Sequence, residues 1–312
     1  MRKEKRIGLA LGSGAARGWG HIGVIRALER RGIRPHVVCG SSMGAMIGAA
    51  LACGHLDGLA EWAAKLTNRQ VLRLMDFSLT SGGLIQGSRL MQELDSFVSD
   101  VPIESLPMAY AAVAADLDSG QELCLRNGSL PLAVRASMAL PGLFAPVCRD
   151  HRWLVDGGLV NPVPVSICRE LGAEVVIGIN LNGEPAGRKA RFAGRETRLS
   201  LNLPESEFFQ RITQELAPLK ERVQAWLPEN GLLSDNAPRR PNLFEVVVGS
   251  IDIMQDILTR NRLSRNPPDV LIEPHLGHMG LMEFDRATEA MEEGESAVEA
   301  ADKAGALRIL EG

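Results

Sequence analysis

Ser42 is the residue whose setting points to chemistry. It stands in Gly40-Ser41-Ser42-Met43-Gly44, after the apolar run Val37-Val38-Cys39 and before the small-residue run 43–51. A Gly-x-Ser-x-Gly turn between a strand and a helix throws its serine out at a sharp corner, often in strained backbone geometry. Gly40 and Gly44 suit such a corner, because a Cβ at either would meet neighbouring backbone. The serine would sit at a helix N-terminus, where the dipole and unpaired N–H groups favour developing negative charge. A nucleophilic serine needs that setting, although the pattern alone also fits a plain Gly/Ser loop.

Two further stretches could serve such a serine. The first is the loop Gly12-Ser13-Gly14-Ala15-Ala16-Arg17-Gly18. A dinucleotide fingerprint would need glycine where Arg17 stands, and a P-loop would need a GK[ST] ending that is missing. A loop of backbone N–H groups aimed at an oxyanion fits better, since it follows the first strand and lies beside the elbow on the second. The second stretch is Asp156-Gly157-Gly158, at the end of an expected strand. A carboxylate within a hydrogen bond of Ser42 could take its proton, with a pKa tuned by burial. Asp-Gly is also a common Asx turn. A histidine base stays open too: a Ser-His-Asp arrangement would use Ser42, then Asp156 or Asp269, then His275 or His278. That fold places its elbow after several strands, whereas Ser42 follows the second.

The elements that must hold these residues alternate. Apolar runs at 7–11 and 37–39 read as buried strands, the first followed by a helix over 21–31 that stops at Gly32. Such alternation implies a parallel sheet covered by helices. Residues 56–74 read as one helix, 80–87 as a flexible loop, and Ser88 as the cap of the next helix. Residues 108–115 and 122–125 read as a hairpin through Asp118-Ser119-Gly120. A short helix over 131–137, a strand over 153–155, a helix over 163–171 and a buried strand over 174–181 come next. Residues 182–198 are Gly-rich and basic and read as an excursion or linker. Residues 205–226 and 243–263 read as amphipathic helices, 270–272 as a strand, and 284–310 as mostly helix. The expected organisation is a core over 1–181, a variable insertion over 182–242, and a C-terminal part over 243–312 that completes the same domain.

Bulk properties bound the function. The chain has 312 residues, 45% apolar and 23% charged, enough for a sizeable core. A net charge of −4 gives no reason to expect nucleic acid as a partner. Five cysteines without a CxxC pair argue against a disulfide framework and a zinc site, so no metal or other cofactor is expected. A reducing cytoplasm is the simplest compartment, and the basic start MRKEKR with its short apolar run does not read as a signal peptide. No run of 18 apolar residues occurs, so no membrane span is expected, and peripheral attachment stays open. The 205–226 stripe could act as a lid and the basic 188–198 stretch could touch anionic lipid, although core and solvated loop are the commoner uses. Nothing sets an oligomeric state.

The three motifs, in their order, resemble the patatin-like phospholipase family, whose patterns are G-G-G-x-[RK]-G, G-x-S-x-G and D-G-[GA]. Ser137-Met138-Ala139-Leu140-Pro141-Gly142 is similar to its S-x-x-x-P-G block, and the run LALGSGAARGWGHIGVIRAL is similar to the bacterial RssA-type branch. The likeness spans about residues 6–181. It implies a three-layer α/β/α fold with a mostly parallel sheet and a hydrolase of acyl lipid esters, phospholipids or lysophospholipids, with a Ser-Asp pair and no histidine. Ser42 would be the nucleophile and Asp156 the base, with Gly157 and Gly158 in its loop. Gly12, Ser13, Gly14, Ala15 and Gly18 would shape the oxyanion hole, with N–H groups around Ser13, Gly14 and Ala15 as donors and Arg17 at the rim. Ser13 and Ala15 stand where the family usually has glycine, so their side chains narrow the hole or demand negative φ there. A regulatory or lipid-binding protein with weak hydrolysis is the alternative this departure suggests.

Overall fold

The computed structural model describes residues 5–74, 83–85, 88–94, 96–183 and 243–310. The expected lid helix over 205–226 and the basic stretch over 188–198 lie outside them. The strands are β1 (Ile7–Leu11), β2 (Val37–Ser41), β3 (Gly83–Ile85), β4 (Ala109–Asp116), β5 (Glu122–Leu125), β6 (Gly142–Phe144), β7 (Val147–Arg149), β8 (Arg152–Asp156), β9 (Val175–Ile179) and β10 (Val270–Ile272). The helices are α1 (Gly20–Glu29), α2 (Met43–Ala52), α3 (Leu56–Ala64), α4 (Asn68–Leu74), α5 (Ser88–Leu94), α6 (Leu130–Ser137), α7 (Val165–Glu170), α8 (Leu243–Arg265) and α9 (Ala287–Lys303).

An eight-stranded sheet runs β10-β9-β1-β2-β4-β8-β7, with β5 also paired to β4. The first five strands are parallel, and β8, β7 and β5 join antiparallel. The fold is thus the mixed α/β class with a mostly parallel central sheet. Alternation along each strand divides the core in two. Leu9, Leu11 and Val38 face a cluster with α1, α2, α3, α6 and α9, whereas Ala10, Val37 and Cys39 face α7. Helices therefore cover both faces, as parallel strands buried on two sides require.

The register on β4 brings two motif-bearing strand ends together. Ser41, the last residue of β2, pairs with Val113 of β4, and Asp156, the last residue of β8, pairs with Ala114. β5 takes the opposite edge of β4 over Ala112–Ala115. β2 and β8 therefore run toward each other along one edge of β4, and their ends meet at adjacent rungs.

Three expectations are corrected. Residues 56–74 form two helices, because Thr67 and Gln70 build a cap between them: Thr67 N donates to Gln70 Oε1 at 2.9 Å and Gln70 N to Thr67 Oγ1 at 3.4 Å. The 80–87 loop contains β3, which pairs parallel with β6, a strand that carries no sequence signal of its own. The third concerns α8. It buries Asp252, Gln255, Asp256 and Thr259 beside Val248 and Ile251 and exposes Val246, Ile253, Met254 and Ile257, so polar residues share its inward side. Its inward side meets polar groups of the Gly12–Gly18 loop, which is why polar residues are buried there. No helix among the described residues is long and apolar enough to cross a membrane.

Candidate active site

The elbow places Ser42 at φ 57° and ψ −125°, a left-handed region that a non-glycine residue adopts only at some cost. Neighbouring elements fix it. Ser41 Oγ donates to Asn161 O at 2.6 Å, and Ser42 N donates to Ser137 Oγ at 3.0 Å. Gly40 and Gly44 are required by close approach. A Cβ on Gly40 would lie 2.3 Å from Ala45 N, and one on Gly44 would lie 2.2 Å from Leu11 O. Helix α2 is thus pressed against the end of β1, where the glycine loop begins.

Ser42 Oγ donates to Asp156 Oδ2 at 2.6 Å. The other oxygen, Oδ1, accepts from Gly158 N at 2.7 Å, and Asp156 N donates to Ala139 O at 2.9 Å. Asp156 is completely buried. Burial pushes its carboxyl up to about 6, against the opposing pull of the Ser42 and Gly158 hydrogen bonds. Gly157 packs flat on β4, where a Cβ would lie 2.2 Å from Val113 O.

The glycine loop divides by where its N–H groups go. Gly12 N donates to Ile179 O and Ser13 N to Pro162 O, at 3.0 and 2.9 Å. Those two are spent on holding the loop, so Ser13 N–H does not join the oxyanion donors expected of it. Gly14 and Ala15 N–H make no backbone or side-chain bond among the described residues, and both residues line the space beside Ser42. Ala15 adopts φ 49°, so of the two expected consequences of a side chain there, a narrower hole or negative φ, the second is not met. It stands at the first position of the tight 3₁₀ turn Ala15–Trp19. Gly18 packs on the start of α2, where a Cβ would come within 2.4 Å of Met43 Cβ.

Arg17 is not at a rim. The 3₁₀ turn rotates it behind the loop, and it is only 2% exposed. Its Nε donates to Met279 O at 3.1 Å, its Nη1 donates to Asn182 Oδ1 at 2.7 Å, and Asp252 Oδ1 lies 3.5 Å from the same nitrogen. Asn182 Nδ2 in turn donates to Ser13 O at 3.2 Å. A buried guanidinium needs such partners, and here they brace the loop from below. The histidines of the alternative triad are placed elsewhere. His278 Nε2 sits 2.8 Å from Glu289 Oε1, and neither His275 nor His278 lines a cavity at Ser42. Asp269 instead accepts from Arg169 and from Val176 N.

His21 is a support the motifs do not announce. It is completely buried, and its Nε2 donates to Gly12 O at 2.7 Å. Nδ1 has no partner among the described residues, and burial pushes the imidazole down to about 4. The unfolded chain, with a histidine near its ordinary 6.5, takes up the proton first as pH falls. Stability present above pH ~6.5 is therefore lost toward pH ~4, by about 2–3 kcal/mol from this group. His21→Gln keeps a donor for Gly12 O, and urea unfolding at both ends of that range should show its acid loss reduced by that amount. An undiminished loss would place the proton uptake elsewhere.

An apolar cavity opens at Ser42. Trp19, Met46, Trp62, Leu94, Leu143 and Phe284 are among its walls, and Trp19 meets Trp62 edge-on at 6.3 Å. A lining this apolar suits hydrocarbon. Sequence reasoning missed Ser137 as the acceptor of Ser42 N–H, although the S-x-x-x-P-G block contained it. It also missed Asp252, Gln255 and Asn182, for which a buried polar position is the only signal.

The family model described as Patatin-like phospholipase matches residues 9–169. An uncharacterised NTE family protein of Mycobacterium tuberculosis is 35% identical over 93% of this chain and 89% of its own length. Patatin-like phospholipase domain-containing protein 6 of Mus musculus is 36% identical over 57% of this chain, a match that covers 14% of the mouse protein. Neuropathy target esterase sws of Drosophila melanogaster is 34% identical over 57% of this chain and 13% of its own length. The span matched by the family model contains the elbow, the glycine loop and the Asp-Gly-Gly turn, and the chain belongs to the patatin-like phospholipase family.

Proposed function

We propose that the protein is a serine hydrolase of acyl lipid esters in which Ser42 and Asp156 act as a dyad. The observation that carries the reading is the 2.6 Å bond from Ser42 Oγ to a fully buried carboxylate at the mouth of an apolar cavity. Asp156 accepts the Ser42 proton as Oγ attacks the ester carbonyl. The oxyanion of the tetrahedral intermediate meets Gly14 and Ala15 N–H, with the positive end of α2 close by. Collapse breaks the C–O bond to the alcohol, which leaves with the proton from Asp156. The acyl-enzyme is then hydrolysed by a water that Asp156 deprotonates, and the fatty acid departs as Ser42 regains its proton. A carboxyl near pKa 6 is ionised at neutral pH and basic enough to work.

The acyl chain occupies the apolar cavity, which makes esters of phospholipids or lysophospholipids the substrates. The esterase and phospholipase names of the fly and mouse relatives agree with that class. Fluorophosphonate labelling of the purified protein, read by intact mass and peptide mapping, tests the reading. One adduct on Ser42, absent from Ser42→Ala, is expected. A folded protein that takes no adduct would instead favour lipid binding without turnover.

A further inference from the structure

Ser42 stands between two cavities. The apolar one accounts for the acyl chain. The other is smaller and mixed in character. Ser13 and Gln255 offer polar groups to it, and Leu140, Val248 and Ile251 form an apolar wall. Helix α8 brings Gln255 there, from outside the span that the family model matches.

The Gln255 carboxamide is held in place from two catalytic loops. Ser13 Oγ donates to its Oε1 at 3.2 Å. Its Nε2 lies against Gly158, where a Cβ would come within 2.5 Å. With Oε1 engaged, Nε2 has no protein acceptor among the described residues. Nε2 is not one of the sealed, unpartnered polar atoms of the described residues, so it is open to the cavity beside Ser42, where an acceptor can reach it. No lysine or arginine lines the cavity among the described residues, so the neutral donor it offers is the Gln255 amide. A carbon chain bearing a hydroxyl matches both the wall and the donor.

We propose that this cavity is the subsite for the leaving alcohol, that it takes a glycerol unit with a free hydroxyl beside the cleaved ester, and that Gln255 Nε2 donates to that hydroxyl. The proposal rests on Ser42 being the nucleophile. Ser13, in a position where glycine is usual, gains a use: its hydroxyl fixes the amide so that the donor faces substrate.

The test compares two esters of one acyl chain, 1-octanoylglycerol and methyl octanoate, with the full chain. Wild type should show a kcat/KM about tenfold higher for the glycerol ester, the order expected of one unshared hydrogen bond. Gln255→Met should bring the ratio to about one, whatever happens to the two rates in common. Val248→Trp narrows the same cavity from its apolar wall and should also lower the ratio. A wild-type ratio near one, or a ratio preserved in Gln255→Met, overturns the proposal. If Gln255→Met fails to fold, a ratio preserved in Val248→Trp overturns it. Labelling separates the two failures. A Ser42 adduct without turnover of either ester sinks the subsite alone, whereas no adduct and no turnover sink the serine reading and the subsite with it.

Discussion

Asp156→Asn lowers ester turnover by about 10³-fold while making the folded protein more stable at neutral pH. The loss follows from the geometry. The carboxamide of the variant can still meet Ser42 Oγ and Gly158 N, so the elbow keeps its shape, but an amide cannot take the serine proton. The stability gain follows from burial. The carboxyl has a pKa of about 6 in the folded chain against an ordinary 3.8, so the folded state holds its proton more tightly than the unfolded state does. Raising the pH from about 4 to above 6 therefore costs stability at this position, and a neutral side chain escapes that cost, by about 1–3 kcal/mol. Wild-type kcat/KM should rise about tenfold per pH unit below 6 and level off above it. Urea midpoints at pH 8 and initial rates across the range measure both effects. Undiminished turnover in the variant would take the proton to some other base, and an unchanged midpoint would mean the carboxylate is not desolvated.

His21 and Asp156 respond to acid with opposite sign. Acidification through pH 6 relieves the buried carboxylate and begins to penalise the buried imidazole. The two partly cancel in the wild-type stability profile, so each is read from the difference between wild type and the variant that removes it.

The site is legible in the sequence to the extent that its chemistry is local. The elbow, the Asp-Gly-Gly turn and the glycine loop are short motifs whose backbone requirements leave marks within a few residues. Glycines at 40 and 44 signal a close approach without saying to what. The meeting of β2 and β8 on adjacent rungs of β4 is not written in either strand, because both are short apolar runs that could pair in several registers. The contribution of α8 is hidden for a different reason. Polar residues on a helix ordinarily face water, and Ser13 and Gln255 are 242 positions apart, so periodicity puts Asp252 and Gln255 on the solvent side. Arg17 misleads in a similar way. A cation in a glycine loop suggests an exposed anion site, and the 3₁₀ turn that carries it inward is set by packing against Met279, Asn182 and Asp252.

Gly44→Ala should cost about 2–4 kcal/mol of stability and at least about a hundredfold in kcat/KM, more than any other single methyl added at the elbow helix. In an ordinary helix the same change is favourable by up to about 1 kcal/mol. Here the added Cβ would lie 2.2 Å from Leu11 O, 2.6 Å from Leu11 C and 2.7 Å from Gly12 O, all backbone atoms. β1 cannot yield easily, since it is paired on both edges, to β2 and to β9. The helix start cannot yield either, because Gly40 already touches Gly44 and Ala45 on its other side. Whatever shift relieves the clash must separate the start of α2 from the glycine loop, and so Ser42 Oγ from the N–H groups of Gly14 and Ala15. Gly48→Ala, one turn further along α2, provides the contrast. Its Cβ would meet side chains only, Val38 Cγ1 at 2.8 Å and Leu11 Cδ1 and Tyr110 Cε2 at 3.4 Å, which can move. That variant should lose stability without losing fluorophosphonate reactivity at Ser42, whereas Gly44→Ala should lose both. Wild-type turnover in a folded Gly44→Ala protein would show that the spacing between loop and elbow is not what the chemistry depends on.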